Sequence, residues 1–280
     1  ANGVPPEAVA ALISHEIDPG PEALTDQGRD LRPILSQLIS SEMDVDRMDY
    51  LLRDSYYAGV TYGRYDLPWL LSNLSHHEEE GKLYLALHRR ALHAFEDFLL
   101  SRYHMYLMVY FHQLSVIYEE LLWRHFEREA RDFRFPADVN DYLGFDDYIL
   151  YAHLAKSGQD LAQRISQNTP YRLFVEEHDP EAGTVDSLEQ KLKEREIAYV
   201  RSSSEGSLSR YWLPKVGRKP GSPQIFVTDP SGTRRANPLE RATELFSRYA
   251  AKKVIDRLYV PPEQLPQART LLPQRHDSRA

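Results

Sequence analysis

Six charged side chains crowd into the eleven residues from Asp44 to Asp54: Asp44, Asp46, Arg47, Asp49, Arg53 and Asp54. None is lysine or glutamate, the usual solubilising pair, and Tyr50 sits among them. Arginine forks match phosphate or carboxylate oxygens, and aspartates accept from hydroxyls or bind hard cations. On a helix turning ~100° per residue, Arg47, Tyr50, Arg53 and Asp54 share the sector around Asp46, while Val45, Met48, Leu51 and Leu52 occupy the opposite face. Two readings fit that pattern: a solvated face laced by i,i+4 ion pairs, or a site for a phosphorylated ligand. Further on, Arg102 and Tyr110 are eight residues apart and fall within ~80° of each other on a regular helix, whereas His112 lies ~160° from Tyr110.

Several elements must position these groups. Ser40 and Ser41 offer a cap for a helix from about 43 to 57 that Gly59 stops. The apolar spacing of Leu31, Ile34, Leu35, Leu38 and Ile39 predicts another helix before it, and Pro68 to Asn73 starts a short one. The polar run 75–81 reads as a turn leading into a strand over 82–88. From 91 to 129 there is neither proline nor glycine, so one long helix or two nearly continuous ones is expected. Two more helices are read at 141–154 and 158–167. After Asn168-Thr169-Pro170 the pattern shortens into strands at 171–176, 197–202, 210–213, 224–228 and 254–260, with helices at 187–196 and 239–250 and a loop at 215–223. The expected fold is therefore mainly α with a smaller C-terminal α+β domain. Its boundaries are 1–168 and 169–272, with a disordered tail at 273–280.

The run Asp44-Val45-Asp46-Arg47-Met48-Asp49-Tyr50-Leu51-Leu52-Arg53-Asp54-Ser55-Tyr56-Tyr57-Ala58-Gly59-Val60 resembles the last metal-ligand helix of the HD-domain phosphohydrolases. The branch it is most similar to contains the deoxynucleoside triphosphate triphosphohydrolases, of which dGTPases are one kind. The pattern Arg102-x7-Tyr110-x-His112 resembles the long helix downstream in that family. The resemblance implies an HD helical bundle in which Asp46 ligates a divalent metal (Mn, Mg, Fe or Zn). It implies that Arg47 and Arg102 contact phosphate, that Tyr50 and Tyr110 hold the sugar, and that Asp54 accepts from the 3′-hydroxyl. His112 and Arg172 correspond to residues that face a regulatory nucleotide at a subunit contact, although Gln113 stands where relatives usually carry lysine.

The same resemblance implies attack of a metal-oriented water on the α-phosphorus of a dNTP, releasing deoxynucleoside and triphosphate. The upstream histidine and the His-Asp doublet that would complete the metal site are not found in a suitable setting. His178-Asp179 follows a strand, His276-Asp277 lies in the polar tail, His15-Glu16 ends a helix, and His76-His77 occupies a polar turn. One carboxylate does not hold a catalytic metal, which needs ~3 protein ligands. The 280 residues are therefore expected to be the C-terminal portion of a longer enzyme and inactive alone. Other hydrolases of the superfamily, or a non-catalytic nucleotide-binding module, remain open alternatives.

Composition bounds the partners. The net charge of −8 and pI of about 5.8 give no general attraction to nucleic acid or anionic membrane. With no cysteine, thiolate chemistry and disulfides are excluded. A cytoplasmic protein is expected, with a nucleotide substrate, a possible nucleotide effector and no membrane or nucleic acid partner. Apolar residues around most of the helix at 91–129 suggest a homo-oligomer, dimer or tetramer, with burial inside one subunit as the alternative.

Overall fold

The computed structural model describes residues 4–272, except 15, 19, 21, 129, 131–132, 180–182, 210–211, 214–216, 219–223 and 230–234. Of 212–213 and 217–218 it describes the backbone. The expected disordered tail, His276-Asp277 and His15 lie outside the described residues. The chain folds as two compact units, each made of two stretches: Ala1–Val109 with Gly206–Lys252, and Tyr110–Glu205 with Lys253–Ala280.

The first stretch carries helices α1 (Pro6–Ile13), α2 (Arg32–Ile39), α3 (Val45–Tyr57), α4 (Leu67–Ser72) and α5 (Leu92–Met105). Among them lie strands β1 (Thr25–Asp26), β2 (Arg29–Asp30), β3 (Leu74–Glu79) and β4 (Lys82–His88). The polar run expected to be a turn is instead β3, an edge strand whose outward face accounts for its polarity. The actual turn is Glu80-Gly81, with φ of 53° and 72°, the pair of positive values that a two-residue hairpin demands. His76 and His77 are thus strand residues opposite Leu85 and Tyr84, and the His77 ring lies 4.4 Å from that of Phe226.

The second stretch opens at Tyr110, the last residue of a π-helical turn, Tyr106–Tyr110, that follows α5. It continues through α6 (Gln113–Arg128), α7 (Val139–Leu143), α8 (Asp147–Lys156) and α9 (Asp160–Ser166). Strand β5 (Arg172–His178), α10 (Thr184–Glu194) and β6 (Val200–Gly206) complete it. The chain then returns to the first unit with β7 (Trp212–Leu213), β8 (Gly217–Arg218), β9 (Phe226–Thr228), β10 (Asn237–Pro238), α11 (Leu239–Ala242) and α12 (Leu245–Arg248). The single helix expected at 239–250 is broken at Thr243, which is extended and whose hydroxyl accepts from the Leu245 N–H at 3.1 Å. Strand β11 (Lys253–Val260) and α13 (Leu265–Arg269) belong to the second unit.

The fold is mainly helical with mixed α+β regions, but the division does not run at 168. Strand β4 is the reason within the first unit. One of its edges carries β3, and the other pairs with β2 at Lys82 and in parallel with β9 along Ala86–His88. An open edge with these buried leucines would leave ladder groups unpaired, and the partner arrives from about 140 residues downstream. In the second unit β11 lies between β5 and β6, and its side chains alternate. Leu258 and Val260 join Phe174, Leu188 and Leu192 beneath α10, while Tyr259 faces Ile117 and Leu121 of α6.

Two expectations follow. A Cβ on Gly63 would stand 2.4 Å from the Leu51 carbonyl oxygen and 2.9 Å from the Ser55 Cβ. Gly63→Ala should therefore cost about 1–3 kcal/mol, read as a fall in the midpoint of thermal unfolding. In the second unit Glu189 accepts from Lys193, Arg201 and Tyr199, which hold its carboxyl down at about 2 against an ordinary 4.5. A depressed carboxylate stabilises fully above its unfolded value, so that contribution should be lost as pH falls from 4.5 toward 2. Glu189→Gln should flatten that part of an acid-unfolding curve.

Candidate functional site

Helix α3 starts not at the serines but at Asp44, whose side chain accepts from the Arg47 N–H at 2.8 Å and from the Ser41 N–H at 3.3 Å. With this N-cap Met48 and Leu51 are buried as the sequence proposed, but Val45, expected on the packing face, is exposed in the first turn beside Asp46, and Arg47, expected on the charged face, turns inward. Gly59, at φ 68°, follows the helix end. The Tyr65 hydroxyl donates to the Met48 carbonyl at 2.6 Å and Ser101 to the Arg64 carbonyl at 3.0 Å, which tie the turn after α3 to both α3 and α5.

Between α3 and α5 the structure assembles a buried charge cluster around Glu42. The Arg102 guanidinium donates to Glu42 Oε2 at 2.9 Å and also to the Leu208 carbonyl, and Ser209 donates to Glu42 Oε1. Arg47 donates to the Ser41 carbonyl at 2.6 Å, and its guanidinium stands 3.3 Å from Asp44 and 3.9 Å from Glu42. Two positive and two negative side chains thus balance, all at 11% exposure or less. Burial pushes the Asp44 carboxyl above the ordinary carboxylate range, against the opposing pull of the Arg47 N–H and guanidinium. Tyr50 adjoins this cluster. Burial, then Tyr106 through charge and a hydrogen bond, raises its hydroxyl well above the ordinary tyrosine value, with Arg102 and Arg47 acting the other way. It remains a neutral hydroxyl at physiological pH.

The structure therefore brings together Arg47, Tyr50 and Arg102, residues 55 positions apart at the extremes. Asp46 is exposed on the outer side of the first turn of α3. Asp54 is half-exposed, 4.0 Å from Arg53, and Arg53 also pairs with Asp49 at 3.2 Å. Part of the charged face is thus the solvated i,i+4 pattern and part is a buried cluster. Tyr110, His112 and Arg172 belong to the second unit. The regular-helix angle between Arg102 and Tyr110 does not hold, because the π turn has a wider step. His112 is exposed, and its Nδ1 accepts from the Leu114 N–H at 3.3 Å. Arg172 lines a cavity of about 470 Å³ with Gln113, Tyr171, Tyr259 and Arg269.

Sequence reasoning missed Glu42 and the polar role of Tyr106, which had the pattern of a core aromatic. Glu42 gives little local signal, since its hydrogen-bond partners lie 60 and 167 residues away. Among the described residues no group of three or more histidines, aspartates or glutamates could hold a metal ion. Asp46 alone would give one carboxylate. No helix among the described residues is long and apolar enough to cross a membrane.

These helices, with the strands that follow, are shared with known proteins. Residues 66–202 match the HD associated region. The match takes in α5, α6 and the start of the sheet of the second unit, and it leaves α3 outside. An uncharacterized protein of Methanocaldococcus jannaschii is 34% identical over 139 residues, which are 50% of this chain and 30% of that protein. Uncharacterized protein YwfO of Bacillus subtilis is 42% identical over 91 residues, 32% of this chain and 20% of that one. Each alignment thus spans under a third of the relative. A solved hypothetical protein from Aquifex aeolicus superimposes with a TM-score of 0.70 at 24% identity, over 94% of this chain and 64% of that chain. A structure described as a phosphohydrolase from Bacteroides thetaiotaomicron gives 0.57 at 20% identity, over 81% and 63%. At these identities the likeness is one of fold alone.

Removing Glu42 leaves Asp44 as the one carboxylate beside two buried guanidiniums and takes away the ion-pair partner of Arg102. Glu42→Ala should lower unfolding free energy by about 3–5 kcal/mol, measured by urea denaturation, whereas Asp49→Ala, which breaks an exposed pair, should cost about 0.2–1 kcal/mol.

Proposed function

We propose that the protein to which these residues belong is a metal-dependent phosphohydrolase of the HD type, acting on deoxynucleoside triphosphates and releasing deoxynucleoside and triphosphate. The observation that carries this reading is the convergence of Arg47, Arg102 and Tyr50 on one buried cluster. Two arginine forks beside a neutral tyrosine hydroxyl suit a phosphate chain attached to a sugar. The match to the HD associated region and the phosphohydrolase-like fold support the same reading.

In this proposal an incoming phosphate competes with Glu42 for the two guanidiniums. Tyr50 donates to the sugar, and Asp54 accepts from the 3′-hydroxyl. Tyr110 is the second proposed sugar contact. Asp46 is the carboxylate proposed for a divalent ion, which would polarise a phosphate oxygen; the other ligands are not among the described residues. The same proposal makes the protein a homo-oligomer, with His112 and Arg172 facing a regulatory nucleotide.

The test is turnover by the whole protein with Mn²⁺ or Mg²⁺, with triphosphate release followed for dGTP and phosphate release for dGMP. Asp46→Asn should abolish turnover while Asp49→Asn, in its exposed pair, leaves it within about fivefold, because ~0.2–1 kcal/mol corresponds to no more than that. Arg47→Lys should depress turnover of dGTP more than of dGMP, since a lysine loses the bidentate fork. Equal losses for Asp46→Asn and Asp49→Asn would show that the charged face of α3 is structural, and nucleotide binding without turnover would favour a non-catalytic module.

A further inference from the structure

The second unit holds a cavity that the proposed phosphohydrolase reading does not use. It measures about 710 Å³, within the ~300–1,000 Å³ range of small-molecule sites, and lies among α6, α8 and α9. Its lining is of three kinds. Leu154, only 1% exposed, and Ile165 give an apolar floor. Tyr118 and Tyr151 give aromatic walls, and Glu119 and Asp147 give two carboxylates.

The walls are not interchangeable with ordinary surface. The Tyr118 hydroxyl donates to the Asn168 side-chain oxygen, and Asn168 itself is a left-handed residue at φ 58° just past α9, so the ring is anchored at its polar end. The carboxylates differ from the arginine-paired acids of this unit. Asp160, Glu176, Asp186, Glu189 and Glu263 are each held by an arginine, whereas Glu119 and Asp147 have no ion pair or side-chain hydrogen bond among the described residues. Arg172 and Arg269 line the separate 470 Å³ cavity, and Arg172 is near enough to act on the Tyr118 hydroxyl from that side. An apolar floor, aromatic faces and two carboxylates outside any ion pair among the described residues are together complementary to one ligand class.

We propose that this cavity binds an organic cation carrying an alkyl chain, its ammonium group set between Tyr118, Tyr151 and the carboxylates of Glu119 and Asp147, and its chain on Leu154 and Ile165. The attraction is cation–π and coulombic at the head and hydrophobic at the tail. The same site should refuse an alkyl carboxylate of equal length.

The probes are hexyltrimethylammonium, hexanol and hexanoate, titrated into the full 280-residue chain by calorimetry, with the tyrosine resonances followed by NMR. The cation should bind about tenfold or more tightly than either of the other two, shift tyrosine signals and weaken with added salt. Glu119→Gln with Asp147→Asn, both exposed and so tolerated by the fold, should bring the cation down to the level of hexanol. Tyr151→Ala should weaken it while Tyr151→Phe, which keeps the ring face, restores it. Equal affinity for the cation and hexanol would reduce the cavity to a hydrophobic hollow and overturn the proposal. So would absence of cation binding at low-millimolar concentration, or binding untouched by the paired carboxylate variant. None of these results bears on dNTP turnover, so the two proposals stand or fall separately.

Discussion

Two guanidiniums and two carboxylates balance one another in a buried cluster, and that constraint ties together remote parts of the first unit. A charge taken out of water is tolerated only where opposite charge and hydrogen bonds replace its hydration. Glu42 meets Arg102 from α5 and approaches Arg47 from α3, and Ser209 and the Leu208 carbonyl close the remaining positions. The residues involved come from three separate parts of the chain. Their mutual satisfaction fixes where α3 and α5 lie with respect to each other and why the segment at 207–209 returns to them. It also bears on the proposed phosphate site. In the structure the arginines are already neutralised, so any anion that uses them must offer more than a carboxylate does, which a multiply charged phosphate chain can.

Strand pairing imposes the second constraint. β4 is apolar enough to be central, and a central strand must be paired on both edges. β3 supplies one edge through a tight hairpin, and β9 supplies much of the other from far along the chain. That pairing gives 206–252 to the first unit, while β11 is drawn into the second unit by β5 and β6. The alternation of Leu258, Tyr259 and Val260 then serves two hydrophobic layers at once, with α10 on one face of the sheet and α6 on the other.

The π turn after α5 has a local consequence with functional reach. Its wider step alters the phase between residues before and after it, so Arg102 and Tyr110 are not related as on a regular helix. Such turns recur at functional sites because they re-aim side chains without ending the helix. Here the turn carries Tyr106, whose hydrogen bond to Tyr50 joins the aromatic face of α5 to the charged cluster on α3.

The sequence by itself determined what depends on neighbours within a few residues. Helix α3, with its inward Met48 and Leu51 and its end at Gly59, follows from a 3.6-residue period and from a residue type that tolerates positive φ. The strands β4, β5 and β11 follow from period two, and Arg47, Tyr50 and Arg102 stood out by type and spacing. Only the tertiary structure decided the rest. Glu42 has little local pattern and acquires meaning from hydrogen-bond partners 60 and 167 residues away. The polar run at 75–79 became a strand because β4 offered it a ladder, and a boundary near 168 gave way to a discontinuous one because hydrogen-bond pairing is blind to distance along the chain. Local periodicity encodes which way a side chain faces; what it faces is set by contacts that form only when remote segments pack.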